Sequence, residues 1–253
     1  MGRAPVGSRS VNDAPRPGTD QATSHTGEPA PGVVVAVDGT SGSGKSSTCR
    51  AVADRLGLRY LDTGAMYRAV TWWMLQHGVD VHDAEAVAAR AADPRLVSGT
   101  DPLAPTIVVD DVDVSIEIRS DAVNAAVSPV SAVPAVRERL VALQRSLIGA
   151  GRIVVEGRDI ASVVWPQAQV KVYLTADPAA RAARRAAENG GADVGATEAS
   201  LLARDAIDSG RAVAPLTRVH GAIHIDSTHQ TLEQVVDLVV GLVEESLSAV
   251  GGS

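Results

Sequence analysis

"VVVAVDGTSGSGKSSTCR" (33–50) is the stretch on which the reading of the fold turns. A run of small aliphatic residues gives way to glycine, serine and one lysine, the composition of a flexible linker. The flanks argue otherwise. The apolar run 33–38 reads as a strand buried on both faces, and "KSSTCRAVADRLG" (45–57) reads as a helix stopped by Gly57. Between them Gly39, Gly44, Lys45 and Ser46 fit G-x-x-x-x-G-K-[ST], in the strand–loop–helix setting that gives this motif its meaning. The glycines let the backbone wrap tightly with successive N–H groups pointing inward. The start of the helix adds the positive end of its dipole. Residues Gly39, Thr40, Ser41, Gly42, Ser43, Gly44, Lys45, Ser46 and Ser47 therefore form a phosphate cradle. Lys45 is expected to reach the β- and γ-phosphates of a nucleotide, and Ser46 to place its hydroxyl on Mg²⁺.

The rest of the chain suits such a loop. Strands are expected at 59–62, 152–157, 169–175 and 222–227, and helices at 64–78, 133–149 and 177–191, with a last helix opened by Thr231 and Gln234 at capping-box spacing. Alternating strands and helices imply an α/β fold with a mostly parallel sheet covered on both faces. Residues 79–133 break the alternation and read as an inserted lobe, in which 105–115 alternates like a hairpin, with 95–99 as its partner. The polar, arginine-bearing stretch 195–218 reads as a loop or helical flap. Residues 1–31 carry hardly an aliphatic side chain and read as a disordered tail.

With 253 residues, a net charge of −7 and one cysteine, the chain favours neither a nucleic-acid partner nor a disulfide framework. It holds no apolar run of the ~20 residues that span a membrane. Lysine occurs only twice, at 45 and 171, among 23 lysines and arginines together. The loop thus keeps a compact ammonium in a chain that elsewhere prefers guanidinium.

A phosphate loop alone is compatible with a GTPase, a motor or a small-molecule kinase. The guanine-reading N-K-x-D is absent. Arg68, Arg137, Arg158, Arg204 and Arg211 come from five separate segments. As a set they suit transfer between two phosphorylated molecules, where much negative charge must be clamped. Taken singly, each also suits a surface ion pair.

Six blocks, "DGTSGSGKSS" (38–47), "YLDTGAMYRAVT" (60–71), "VSIEIRSDAV" (114–123), "VSPVSAVPAVRERL" (127–140), "VVEGRDIASVVWPQAQVKVYLTA" (154–176) and "RDAIDSGRAVAPL" (204–216), together resemble bacterial cytidylate kinases in content and order. The resemblance spans about residues 33–245. It implies a nucleoside-monophosphate kinase fold with a five-stranded parallel core (32–78, 150–194 and 219–250). It further implies a monophosphate-binding insert (79–133 plus helix 134–149) and a lid (195–218). The implied reaction is transfer from ATP to CMP or dCMP with Mg²⁺, in a cytoplasmic monomer with no nucleic-acid or membrane partner. By the same resemblance Thr63 and Arg68 meet the CMP phosphate. Ser128, Arg137 and Asp159 read the cytosine edge, Arg158 and Arg211 hold phosphates at the transfer point, and Arg204 and Asp208 touch the sugar. Lys45, Arg158, Arg204 and Arg211 form the catalytic set. The chain departs from the family pattern at Ala161, Ser162 and Ile207, and in the "TSGSG" wording of its loop. Plainer readings stand beside some of these roles: Asp159 also suits a helix N-cap, and Ser128 before Pro129 a turn. UMP/CMP or AMP kinases and a catalytically silent nucleotide binder remain as alternatives.

Overall fold

Strand β1 (Val34–Gly39) is buried along its whole length, so it takes the centre of the sheet. The computed structural model describes residues 32–188, 193–210 and 216–251; the N-terminal tail 1–31 lies outside them. β2 (Arg59–Asp62), β6 (Ile153–Gly157), β7 (Val170–Thr175) and β8 (Ile223–Asp226) join β1 in the order β2-β6-β1-β7-β8. Every pairing is parallel. The register sets Asp38 of β1 opposite Gly157 of β6, and Asp62 of β2 opposite Glu156. The polar residues that end these strands therefore gather at one edge, the carboxyl edge where parallel sheets bind ligands.

The two faces of β1 serve two cores. Val35 and Val37 pack with Val52 of α1 (Lys45–Arg55) and with Val235, Val236 and Val239 of α8 (Leu232–Gly251). Val34 and Ala36 join a cluster with Met66 and Val70 of α2 (Thr63–Gln76) and Leu140 of α5 (Pro134–Ile148). α1 stops at Arg55, short of the expected Gly57, whose positive φ of 61° then turns the chain into β2. α2 starts at Thr63 because the Asp62 side chain accepts the Ala65 N–H at 2.9 Å. The capping box of α8 forms as read, with Thr231 N–H on Gln234 Oε1 (2.9 Å) and Gln234 N–H on Thr231 Oγ1 (3.2 Å).

Between α2 and α5 lie α3 (Ala84–Arg90), strands β3 (Leu96–Ser98), β4 (Ile107–Val109) and β5 (Val112–Asp113), and α4 (Asp121–Ala132). The three strands form a small antiparallel sheet, with a tight turn at Asp110 and Asp111, both at positive φ. The Asp110 carboxylate fixes that turn by accepting from Trp73 Nε1 at 2.7 Å. α3 and α4 were not legible as helices. In α4, Pro129 sits inside the helix and removes one internal hydrogen bond. Burial of Val123, Ala126, Val127 and Val130 overrides that penalty. Ser128 is consequently a helical residue and not the turn residue that its proline neighbour suggests.

After β6 the chain makes a wide helical turn at Ile160–Val164, closed by Trp165 N–H on Ile160 O at 2.7 Å. α6 (Pro178–Glu188) and α7 (Val194–Ser209) follow β7. Among the described residues no helix is long and apolar enough to cross a membrane.

Gly39 marks the exit from β1 at a φ of 151°, and a Cβ built there would stand 1.9 Å from the Leu174 carbonyl oxygen of β7. Because that neighbour is sheet backbone, it has no side-chain freedom with which to give way. Gly39→Ala is expected to lower unfolding stability by about 3 kcal/mol or more, read from urea melts. An unchanged urea midpoint would show that the strand end relaxes freely.

Candidate active site

The loop is built from three positive-φ glycines, Gly39, Gly42 and Gly44, the last directly preceding α1. No side chain caps α1, so its first N–H groups face the loop interior. Lys45 bends back along the loop, donating to Gly39 O (2.9 Å) and Thr40 O (2.7 Å). Loss of hydration, reinforced by the Arg158 guanidinium, pulls its pKa down to about 8. Behind the loop Glu156, 4% exposed, accepts from the Tyr60 hydroxyl and from Ser46. Burial, and then the Asp62 carboxylate, push Glu156 up to about 7.

A cavity of about 820 Å³ opens over this edge. Ser41 to Ser47, Thr63, Arg68, Ser128, Arg137, Arg158, Asp159 and Asp208 all line it. Gly39 and Thr40 do not; they form the loop's rear wall and hold Lys45. Arg211 lies outside the described residues, and so does the side chain of Arg204.

At one end of the cavity Thr63 donates to Glu156 O (2.7 Å), which leaves its hydroxyl free to accept. Arg68 is buried and donates to Ile118 O (3.0 Å) and Asn124 Oδ1 (2.8 Å). Further in, Arg137 and Asp159 form an ion pair with side chains 6% and 7% exposed. The guanidinium carbon of Arg137 lies 5.7 Å from the centroid of the Tyr67 ring, within cation–π range. Asp159 makes no cap hydrogen bond to the turn that follows it. The capping reading thus fails, and the carboxylate faces the cavity beside Ser128 and Ser131.

Several residues of this edge had no sequence signal. Asp38 is 3% exposed and accepts from the N–H groups of Ile160 (2.7 Å) and Ala161 (2.9 Å). It ties the strand that leads into the loop to the turn that carries Arg158 and Asp159. Burial, and to a lesser degree Asp159, raise its pKa to about 6. Among the described residues other than glycine, positive φ occurs only at Asp110, Asp111 and Arg152, so Ala161 sits there without strain. Arg181, Arg184 and Asp205 also meet the loop region; as members of charge-rich helices they look like surface residues in the sequence.

A parallel five-stranded sheet, a phosphate loop at its carboxyl edge and an arginine-lined cavity running on to a second polar end define a P-loop kinase of the nucleoside-monophosphate kinase fold. The comparisons with known proteins are more particular. The cytidylate kinase family profile matches residues 35–245. The cytidylate kinase of Streptomyces avermitilis is 55% identical over 221 residues, 87% of this chain and 96% of its own. That of Streptomyces griseus is 58% identical over 214 residues, 84% of this chain and 93% of its own. The cytidylate kinase of Nocardia farcinica is 50% identical over 221 residues, 85% and 95% of the two chains. The chain belongs to the cytidylate kinase family.

Asp38 and Glu156 hold their protons more tightly in the folded protein than at their ordinary values of 3.8 and 4.5. Their contribution to stability is therefore complete below those values and is lost as pH rises through about 6 and about 7. The melting temperature of the nucleotide-free protein should rise on going from pH 7.5 to 5.5, by on the order of 5 °C. Glu156→Gln should remove most of that rise. A melting temperature that falls over this range in the wild type would contradict the assignment.

Proposed function

We propose that this protein transfers the γ-phosphate of ATP to CMP or dCMP, giving CDP or dCDP. The observation that carries the reading is the buried Arg137–Asp159 pair beside Ser128, in the same cavity as the phosphate loop. Cytosine presents an exocyclic amino donor beside ring acceptors. The Asp159 carboxylate suits the amino group, and the Arg137 guanidinium suits N3 and O2. Uracil places a carbonyl where cytosine has the amino group, so the carboxylate repels it. In this reading Thr63 and Arg68 take the monophosphate. Arg158, with Arg211, stands where the two phosphate groups meet, and Asp208 and Arg204 meet the sugar.

Residues 32–78, 150–194 and 219–250 then act as the core, 79–149 as the monophosphate-binding part and 195–218 as a lid. The working unit is a cytoplasmic monomer without nucleic-acid or membrane partners. The reaction forms a bond from a CMP phosphate oxygen to the γ-phosphorus and breaks the bond to the β–γ bridging oxygen. Catalysis is positioning and charge stabilisation, so no general base is required. Loop N–H groups and Lys45 bind and orient the donor phosphates. Arg158, Arg204 and Arg211 balance the charge that spreads over the transferred group. A lid over the cavity excludes water and so limits hydrolysis of ATP.

The residues present fit a divalent ion. Ser46 and Glu156 are bonded to each other, Asp62 lies close enough to raise the Glu156 pKa, and nearby positive charge would relieve that crowding. Among the described residues no cluster of three or more His, Cys, Asp or Glu could hold a metal alone. That suits Mg²⁺, which keeps waters and binds chiefly through substrate phosphates. Ser46 would ligate it directly, and Glu156 would orient Ser46 and a bound water. When bound, the ion neutralises charge on the β- and γ-phosphate oxygens.

The test is ADP release from ATP and Mg²⁺ with CMP, dCMP, UMP, AMP or no acceptor. Strong turnover is expected with CMP and dCMP only. Asp159→Asn should cut kcat/KM for CMP by about tenfold or more while narrowing the CMP:UMP ratio. Equal use of CMP and UMP by the wild type would remove the base-reading role, and ATP binding without any turnover would favour a silent binder.

A further inference from the structure

The contacts of α7 single out one carboxylate that the reaction above does not use. Asp205 faces the phosphate loop, with its side chain 13% exposed. Its Oδ1 accepts from the Ser41 amide at 3.2 Å and from Arg158 Nη1 at 3.2 Å. Its Oδ2 pairs with Arg181, a buried guanidinium that also donates to Ser41 O and Ala176 O, each at 3.0 Å. One turn further along the same face of α7, Asp208 Oδ2 lies 2.9 Å from Arg158 Nη2. The Asp205 charge also reaches Lys45, where it favours the charged ammonium.

These partners are of the kind an anionic phosphoryl oxygen requires: a loop N–H, a guanidinium beside the loop and the loop lysine. A carboxylate oxygen and a phosphoryl oxygen carry the same sign and compete for the same donors. In a poorly hydrated site the two anions repel at close range. Both guanidinium groups keep other bonds when Asp205 leaves: Arg181 to the carbonyls of Ala176 and Ser41, and Arg158 to Asp208 and to Gly39 O (3.3 Å).

We propose that Asp205 is a latch that imitates a phosphate oxygen: it holds α7 against the phosphate loop, and the nucleotide triphosphate must displace it to bind. The proposal rests on the reading of the loop as the ATP site. Displacement frees the Ser41 N–H, removes one of the two α7 carboxylates that hold Arg158, leaving Asp208, and loosens the helix from the loop. Binding of the donor is thereby linked to partial release of an arginine that the acceptor's phosphate also needs. The latch opposes ATP binding, whereas a plain structural strut would support it.

The test is equilibrium binding of ATP with Mg²⁺ to the full chain, by titration calorimetry without acceptor, for wild type, Asp205→Asn and Asp205→Ala. Asn keeps the shape and one acceptor for Arg181, so it carries the test if the alanine variant fails to fold. The latch predicts about tenfold tighter ATP binding by the folded variants, the loss of one competing charged contact. It also predicts faster tryptic cleavage in 204–218 for the nucleotide-free variants. Unchanged or weaker ATP binding by folded Asp205→Asn overturns it, as does failure of the wild type to bind ATP. Tighter binding by the variants with no phosphorylation of CMP by the wild type would retain the latch and overturn the kinase reading instead.

Discussion

The parallel register between β1 and β6 is the constraint on which the site depends. It sets Asp38 opposite Gly157, so the phosphate loop leaves one strand directly beside the Gly157–Arg158–Asp159 segment that leaves the next. Two further bonds from Asp38 to the amides of 160 and 161 lock that alignment. A slip of one residue would turn Val35 and Val37 away from their core and separate the cradle from Arg158. Hydrophobic packing on both faces of β1 thus fixes a distance between two polar segments that never meet in the sequence.

What was legible in the sequence divides along the same line. The core strands were legible as short apolar runs, α5 and α8 by apolar residues at helical spacing, α1 and α2 by the glycines that follow them, and α6 by the proline of its first turn. The loop was legible because its glycines, lysine and serine have one shared purpose. α3 and α4 were not, since α4 depends on tertiary burial to outweigh Pro129. Thr63, Arg68, Arg137, Arg158 and Asp159 were placed through family resemblance, and the structure brings them to one cavity. Asp38, Tyr60, Arg181 and Asp205 carried no sequence signal. Their significance lies in partners from other segments, over 100 residues away in the case of Asp38.

Charge in this site is arranged by scarcity of water as much as by pairing. Lys45 moves down to about 8 while Glu156 moves up to about 7, each for want of hydration. Both groups are thereby closer to exchanging protons than either would be in water, and each relies on the charges around it to stay ionised. A bound polyphosphate with its metal would alter both at once. Guanidinium, with its planar fork of donors, suits bidentate pairing with carboxylates and phosphates, whereas the loop position takes the compact ammonium of Lys45.

The Arg137–Asp159 pair shows why such an arrangement cannot be understood as stabilisation. Two charges this buried lose hydration worth several kcal/mol each, and their mutual attraction offsets that only in good geometry. Apolar residues of the same volume would serve the core as well or better. A carboxylate held by a guanidinium on a helix has a different use: it lines the cavity in a fixed setting. In the reading proposed above, a base that presents a donor to this carboxylate is accepted, and a base that presents a carbonyl sets two acceptors against each other. On the proposed reading, discrimination rests on the rigidity of the pair, with α5 holding Arg137 and the segment between β6 and the following turn holding Asp159.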